Sequence, residues 1–152
     1  MSKTVDLQRL VDAAGDAIIG ADPEGKIVLW NPAAERIFGF AAREALGETL
    51  DLIIPERFRA RHWDGYREVM RTGQTKYGAE VLRVPARRKD GRPLSIAFTV
   101  ALLSRADGQT EAIAAIVRDE TSRWNEEREM RQRLRELEEH AKQALLRNSV
   151  YS

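Results

Sequence analysis

Residues 16–39 read DAIIGADPEGKIVLWNPAAERIFG, and this stretch decides the predicted fold. Two short apolar runs flank the letters DPEG at residues 22–25, as the two strands of a β-hairpin flank their turn. Asn31 and Pro32 then have the residue types of a helix N-cap and a first helical position, and Gly39 is typical of a helix end. The stretch therefore predicts two antiparallel strands followed directly by a helix.

Two further turns lie toward the C-terminus, KDG at residues 89–91 and ADG at residues 106–108. Apolar or β-branched runs flank both turns, which is typical of hairpin connections. They join a strand over residues 76–85 to one over 94–103, and that strand to one over 111–117. Together with the first hairpin, five strands are predicted to form one antiparallel sheet.

The segment between the second and third strands, residues 31–75, is too long for a loop and rich in helix formers. After the helix that ends at Gly39, a short helix is predicted over residues 42–46, ended by Gly47. A longer helix is predicted over residues 55–72. Its broad apolar face consists of Phe58, His62, Trp63, Tyr66, Val69 and Met70.

A helix is predicted at each end of the chain. The N-terminal helix is amphipathic, with the apolar residues Val5, Leu7, Leu10, Val11 and Ala14. Half of the residues between 120 and 147 are charged, and none is proline or glycine. Apolar residues recur there in alternate steps of four and three, as in a coiled-coil seam, at Met130, Leu134, Leu137, Ala141 and Ala144. We expect this helix to pair with a partner; the alternative is a helix that lies back on its own domain.

The predicted organisation has four parts: an N-terminal helix (1–15), a domain (16–120), a coiled-coil helix (121–148) and a tail (149–152). A chain of 152 residues can bury the core of one such domain without disulfides or metal. Because the sequence has no cysteine, thiolate nucleophiles, disulfides, cysteine-bound zinc and iron–sulfur clusters are excluded.

Charge and hydropathy narrow the class of protein further. The chain has 25 Lys and Arg against 24 Asp and Glu, so we expect no nucleic-acid partner. No run approaches eighteen uncharged apolar residues, so neither a signal peptide nor a membrane span is expected. With two histidines and no glycine-rich phosphate loop, we expect no enzyme activity and no metal site. The prediction is a cytoplasmic protein that does not bind membranes.

Seven short motifs, taken in order, resemble the PAS sensor-domain family. They are DAII at residues 16–19, DPEGKI at 22–27, WNPAAE at 30–35, FGF at 38–40, EALG at 44–47, RRKDG at 87–91 and VRDET at 117–121. The resemblance implies an α+β fold, with a five-stranded antiparallel sheet that has helices on one face and a terminal helix at either end. It also implies a sensory and dimerisation module in signal transduction, such as a two-component system.

The resemblance implies a small-molecule pocket between the helices and the sheet. The residues expected to line it are Phe38, Ile53, Trp63, Tyr66, Met70, Tyr77, Ile96 and Phe98. Large side chains such as Trp63 could instead fill this space, which would make the chain a purely structural dimeriser. The sequence does not name a ligand.

Two cofactors of the family leave residue signatures. Blue-light members have a reactive cysteine in an Asn-Cys-Arg motif, so the cysteine-dependent flavin photochemistry is excluded here. In haem-binding members that sense oxygen, the proximal histidine directly precedes Asp-Gly-Tyr. Here Trp63 precedes Asp64-Gly65-Tyr66, and His62 is rotated about 100° around the helix from that position. We therefore do not expect haem, and keep a gas or redox sensor that binds haem through His62 as the alternative.

The end of the last strand is expected to pass the signal on. The letters DET at residues 119–121 resemble the Asp-x-Thr motif of the family at the junction of sheet and helix, which implies coupling roles for Asp119 and Thr121. A homodimer is expected through both terminal helices, with an effector domain in the same or another chain. Its interface residues are predicted to be Leu7, Leu10, Val11, Met130, Leu134, Leu137 and Ala141.

Overall fold

The computed structural model describes residues 3–76 and 78–151, with side chains through residue 149. The chain consists of two compact units, Met1–Asp119 and Glu120–Ser152. The elements of the first unit are α1 (Leu7–Ala13), β1 (Ala17–Ala21), β2 (Ile27–Trp30), α2 (Pro32–Phe38), α3 (Ala42–Ala45), a 3-10 turn (Leu50–Leu52), α4 (Glu56–Thr72), β3 (Leu82–Arg87), β4 (Pro93–Ser104) and β5 (Thr110–Asp119). The second unit contains α5 (Thr121–Tyr151).

The five strands form one sheet in the order β2-β1-β5-β4-β3, and all neighbouring strands are antiparallel. Three of the four strand pairs are the predicted hairpins, and the fourth pairs β1 with β5. In that pair Ala17 lies opposite Val117 and Ile19 opposite Ala115, so alternate residues of both strands point to one face. The predicted α+β fold with a five-stranded antiparallel sheet is confirmed.

One hydrophobic core lies on this face of the sheet. It combines residues of β1, β2, β4 and β5 with residues of the helical segment between β2 and β3. Phe38 of α2 is fully buried, and its ring centroid lies 5.5 Å from that of Trp30. The Trp30 indole Nε1 donates to the carbonyl oxygen of Phe40 at 2.9 Å, so its polar atom is satisfied inside the core.

Asn31 joins three elements of the first unit through one buried side chain. As predicted, its Oδ1 caps α2, accepting from the Ala34 amide at 3.0 Å. The same oxygen accepts from the Ile18 amide at 2.9 Å, and Nδ2 donates to the carbonyl oxygens of Val11 at 2.9 Å and Asp16 at 3.1 Å. The side chain is only 2% exposed, and these four bonds satisfy the hydrogen-bonding capacity of its amide.

Three predicted boundaries differ from the structure. The N-terminal helix begins at Leu7 and leaves Val5 outside it, because the Asp6 carboxylate accepts from the Gln8 and Arg9 amides and caps the helix there. The third strand begins at Leu82 and not at residue 76, because Gly78 adopts a left-handed φ of +56° that interrupts an extended chain. The last helix continues to Tyr151, through most of the segment predicted as a tail, since that segment contains no proline or glycine. Within the described residues, no helix is apolar over enough length to cross a membrane.

Candidate functional site

The structure brings seven of the eight predicted pocket residues into the hydrophobic core. Phe38, Ile53, Tyr66 and Ile96 are buried, whereas Trp63, Met70 and Phe98 are partly buried and pack against the same cluster. Tyr77 lies outside the described residues. These seven side chains, expected to line a cavity, are therefore members of a packed core.

Helix α4 supplies three of these side chains, Trp63, Tyr66 and Met70. It begins after Pro55, where the fixed φ of proline suits a helix start, and ends at Gly73 in a left-handed conformation with φ +69°. Residues 59, 62, 63 and 66 are spaced by three, one and three, so they lie on one side of the helix. The Arg59 Nε donates to the carbonyl oxygen of Ile54 at 3.0 Å, which ties the first turns of α4 to the preceding loop.

Trp63 lies between the 3-10 turn and the turn that joins β1 to β2. Its Nε1 donates to Oδ1 of Asp51 at 2.7 Å. Its six-membered ring lies directly against Gly25, where a Cβ atom would be 2.2 Å from Cζ3 and 2.3 Å from Cη2 of the indole. Gly25 also has φ +84°, which side chains rarely adopt. The turn can therefore accept the indole only because residue 25 has no side chain.

Tyr66, three residues after Trp63 on the same side of α4, contacts the same turn. Its hydroxyl donates to the carbonyl oxygen of Asp22 at 2.5 Å, and its side chain is buried. Burial raises the pKa of the Tyr66 phenol, and the negative charges of Asp22 and Glu24 raise it further. The hydroxyl consequently stays protonated and remains a hydrogen-bond donor well into the alkaline range.

His62 is half-buried beside these two aromatic residues. Its ring centroid lies 4.8 Å from that of Trp63 and 5.8 Å from that of Tyr66. Its Nδ1 is buried and has no hydrogen-bond partner among the described residues. Burial lowers the pKa of His62, and the nearby charge of Asp51 opposes this only in part. The neutral imidazole is therefore the form that this site favours.

A separate cleft of about 380 Å³ lies where the end of α4 meets the turn between β4 and β5. Of the seven predicted pocket residues that the structure describes, only Met70 lines it. The hydroxyl oxygen of Thr110, which also lines it, is buried without a hydrogen-bond partner in the described part of the chain. Sequence reasoning missed this cleft, because it is formed by a helix end and a turn that are about 35 residues apart.

The two predicted coupling residues lie at the end of β5 and the start of α5. Asp119 is the last residue of β5, where it is in register with Ile96 of β4, and Thr121 is the first residue of α5. Just before them, the Arg118 guanidinium forms two hydrogen bonds with the Asp16 carboxylate, at 3.0 and 3.1 Å. A single residue thus separates the strand from the helix.

Most of the predicted interface residues are exposed. In α1, Leu7 is 71% and Leu10 56% exposed, and Val11 is partly buried. In α5, the apolar stripe is exposed along its length at Met130, Leu134, Leu137 and Ala141. Both helices therefore have large apolar side chains in water, which association with another surface would bury.

The fold and its sequence match the PAS fold family over residues 6–119. The chain belongs to the PAS family. This result confirms the family that the seven motifs resemble. A solved PAS domain from Colwellia psychrerythraea has the same fold, with a TM-score of 0.67 and 20% identity over 76% of this chain and 95% of that one.

Two relatives of this PAS domain are much longer proteins. An uncharacterised protein of Azorhizobium caulinodans is 35% identical over 75% of this chain and 15% of its own length. The sensor protein FixL of Bradyrhizobium diazoefficiens is 30% identical over 90% of this chain and 26% of its own length. The chain thus spans about a quarter or less of these relatives, and it is related to a sensor protein.

The residues around His62 do not fit a haem bound through that side chain. The space beside its imidazole is taken by the rings of Trp63 and Tyr66. Both rings are fixed in place, because Trp63 donates to Asp51 and Tyr66 donates to Asp22. A porphyrin at this position would have to displace both aromatic side chains and break both hydrogen bonds.

Proposed function

We propose that this PAS domain is a cytoplasmic sensory and dimerisation module, without catalysis of its own, that passes a change in core packing to an effector through α5. The effector lies in the same or another chain. Relationship to a sensor protein over 90% of the chain supports the sensory role. The observation that carries the proposal is the direct passage from β5 to α5, with Glu120 alone between them.

The route begins in the core. Val117 and Ala115 of β5 belong to the same hydrophobic cluster as Tyr66 and Trp63 of α4. A ligand or a repacking that moves α4 would therefore change the contacts of β5. Because only Glu120 separates Asp119 from Thr121, little chain is available to absorb such a movement before α5 begins.

The test uses a change in the core as the input and a fused effector as the output. In a fusion of the chain to an effector that works as a dimer, Trp63→Ala is expected to change effector activity, because it removes the largest side chain between α4 and the turn. Asp119→Ala together with Thr121→Ala is expected to abolish that difference while leaving the domain folded. The matched control is Asp107→Ala with Thr72→Ala, at exposed positions away from the junction. If the effect of Trp63→Ala survives in the junction variant, this route is wrong.

A second candidate is a structural dimeriser whose pocket is permanently filled. The observation that favours it is that the seven described residues of the predicted pocket belong to one packed cluster. In this case Trp63→Ala would leave the output of the fused effector unchanged, and native mass spectrometry of the purified chain would find no co-purified small molecule. A haem sensor is not proposed, and the protein incubated with haem is expected to have no Soret band of a histidine-bound haem.

A further inference from the structure

One side of α5 carries a tryptophan and three arginines. Their spacing is four, three and four residues, which places them in one stripe along the helix. All four side chains are exposed, and together with Leu134 they line a groove of about 640 Å³. We call this stripe the arginine face; it consists of Trp124, Arg128, Arg131 and Arg135.

The arginine face is distinct from the apolar stripe of the same helix. At about 100° per residue, its centre lies about 120° around the helix from the stripe of Met130, Leu134 and Leu137. A partner on one of these surfaces therefore leaves most of the other accessible. The arginine face does not depend on the dimer of the proposed function.

The three arginines are neighbours without a compensating charge. Arg128 and Arg131 are three residues apart, and Arg131 and Arg135 are four apart; like charges at these spacings destabilise a helix in water. Elsewhere in α5, Arg123 instead donates from Nε to Oε1 of Glu127 at 3.2 Å. Within the described residues, no ion pair joins the three arginines to a carboxylate. A negatively charged partner would offset their mutual repulsion.

Trp124 orders one of these arginines before any partner binds. The guanidinium carbon of Arg128 lies 5.4 Å from the centroid of the Trp124 ring, within the range of a cation–π contact. Arginine and tryptophan contribute more to binding at protein interfaces than most residue types. A guanidinium also binds a carboxylate through two parallel hydrogen bonds, a geometry that an ammonium group lacks. The arginine face therefore offers an apolar anchor next to three groups that bind carboxylates.

The charges around the arginine face favour separate carboxylates over a continuous polyanion. Residues 120–147 contain seven acidic and seven basic side chains, so α5 has no excess positive charge to attract a nucleic acid or an anionic membrane. Glu138 borders the face on one side and Glu139 on the other, and both would repel a broad negative surface. Separate carboxylates can contact the arginines and avoid these two residues.

We propose that the arginine face is the docking site for an acidic α-helix of a partner protein. Along the axis of α5, successive arginines are separated by about 4.5 and 6 Å. Glutamates three and four residues apart on a second helix have the same separations, so three of them can pair with Arg128, Arg131 and Arg135. An extended strand places the side chains of one face about 6.6 Å apart and fits this spacing less well. An apolar side chain one turn beyond the glutamates covers the Trp124 indole.

A synthetic peptide tests this docking site on the full chain. The probe is a fluorescein-labelled, alanine-based helix of about 20 residues. Its three glutamates follow the spacing of the arginines, and a leucine lies four residues outside them at each end, so that the peptide fits in either direction. Its dissociation constant is measured by fluorescence anisotropy at low salt. The same peptide with glutamine in place of each glutamate is expected not to bind.

Two pairs of substitutions separate the site from net charge. Arg131→Gln with Arg135→Gln is expected to weaken binding of the peptide about tenfold, because two ion pairs are lost. Arg133→Gln with Arg147→Gln removes the same charge from the other side of α5 and is the matched control, with an expected change of less than about twofold. Trp124→Ala keeps the charge and is expected to weaken binding about fivefold through loss of the apolar anchor. Far-UV circular dichroism verifies that each variant keeps its helix.

The possible results are distinct. Equal weakening by the two double variants would overturn the docking site, because the peptide would then respond to net charge alone. A wild-type chain that leaves the peptide unbound at about 1 mM would overturn it as well. Single-stranded RNA or phosphatidylserine vesicles that bind more tightly than the peptide, and lose this binding in Arg131→Gln with Arg135→Gln, would overturn the acidic helix in favour of a phosphate-rich partner. None of these results bears on the dimer or the signalling route of the proposed function.

Discussion

The ring of Trp63 lies so close to Gly25 that a Cβ atom at residue 25 would be 2.2 Å from it. The indole of Trp63 thus fills the space that a side chain at residue 25 would occupy, although the two residues are 38 positions apart. The turn between β1 and β2 is shaped to receive α4. The same turn accepts the hydroxyl of Tyr66 at its Asp22 carbonyl. The contact therefore places α4 against the first hairpin as well as against the inner face of the sheet.

Gly25→Ala should test this contact. The new methyl group would clash with the indole in addition to straining the left-handed backbone, so we expect a loss of about 3–5 kcal/mol in the free energy of unfolding. Gly91→Ala is the control, because Gly91 has a similar φ of +82° and no described atom within 4 Å of its Cβ position. It should lose only about 1–2 kcal/mol. Urea titration followed by circular dichroism measures both.

The difference between the two glycine variants should disappear when Trp63 is replaced by alanine, because the clash then has no partner. Equal losses for Gly25→Ala and Gly91→Ala in the wild-type background would show that the turn does not depend on the indole.

Asn31→Asp should destabilise the domain by about 2–4 kcal/mol at neutral pH. The substitution keeps the size of the side chain and the acceptor that caps α2. It removes both donors and brings a negative charge against the carbonyl oxygens of Val11 and Asp16. Asn125→Asp makes the same exchange at an exposed position of α5 and should change the free energy of unfolding by less than about 0.5 kcal/mol. Similar small effects at both positions would contradict the role of the Asn31 amide.

Tyr66→Phe should cost about 1 kcal/mol at pH 7 through loss of the hydrogen bond to Asp22. The pKa of Tyr66 is raised in the folded state, so the unfolded chain loses this proton first, near the ordinary pKa of 10.0. Its contribution to stability is therefore complete below pH 10 and decreases above it. The free energy of unfolding should fall more steeply above pH 10 in the wild type than in Tyr66→Phe, and identical slopes would count against a buried phenol.

His62 should make the domain sensitive to mild acid. Its pKa is lowered by burial, so the unfolded chain binds a proton near pH 6.5 while the folded chain resists it. Stability is therefore expected to decrease as the pH falls below 6.5, and His62→Gln should reduce this decrease between pH 7.5 and 5. His140→Gln is the matched control, because His140 is exposed on α5 and is the other histidine of the chain. If His62→Gln leaves the pH dependence of the free energy of unfolding unchanged, another group causes the acid sensitivity.

Local chemistry made most of the fold predictable. The DPEG turn, the Asn31 cap and the helix ends at Gly39 and Gly73 depend on residues close in sequence, and the structure contains each of them. The hairpins around residues 89–91 and 106–108 follow for the same reason. The predicted start of β3 was wrong, because the sequence after residue 76 does not indicate that Gly78 adopts a left-handed φ.

The arrangement of the candidate site could not be predicted in the same way. Periodicity placed Trp63 and Tyr66 on the inner side of α4, but it did not identify Asp51, Gly25 and the Asp22 carbonyl as their partners. These contacts join residues 12 to 44 positions apart, and no spacing rule in the sequence relates them. Asp51 and Gly25 come into contact with Trp63 only when the chain folds.

The hydrogen bonds of the Asn31 amide restrict which amino acid can occupy position 31. The position requires a short side chain that accepts two hydrogen bonds at one atom and donates two from another, while almost completely buried. Aspartate has no donor when ionised, serine has a single donor, and glutamine is one carbon too long for the same geometry. Among the twenty amino acids only asparagine meets this requirement, so the hydrogen bonds at position 31 specify one residue type.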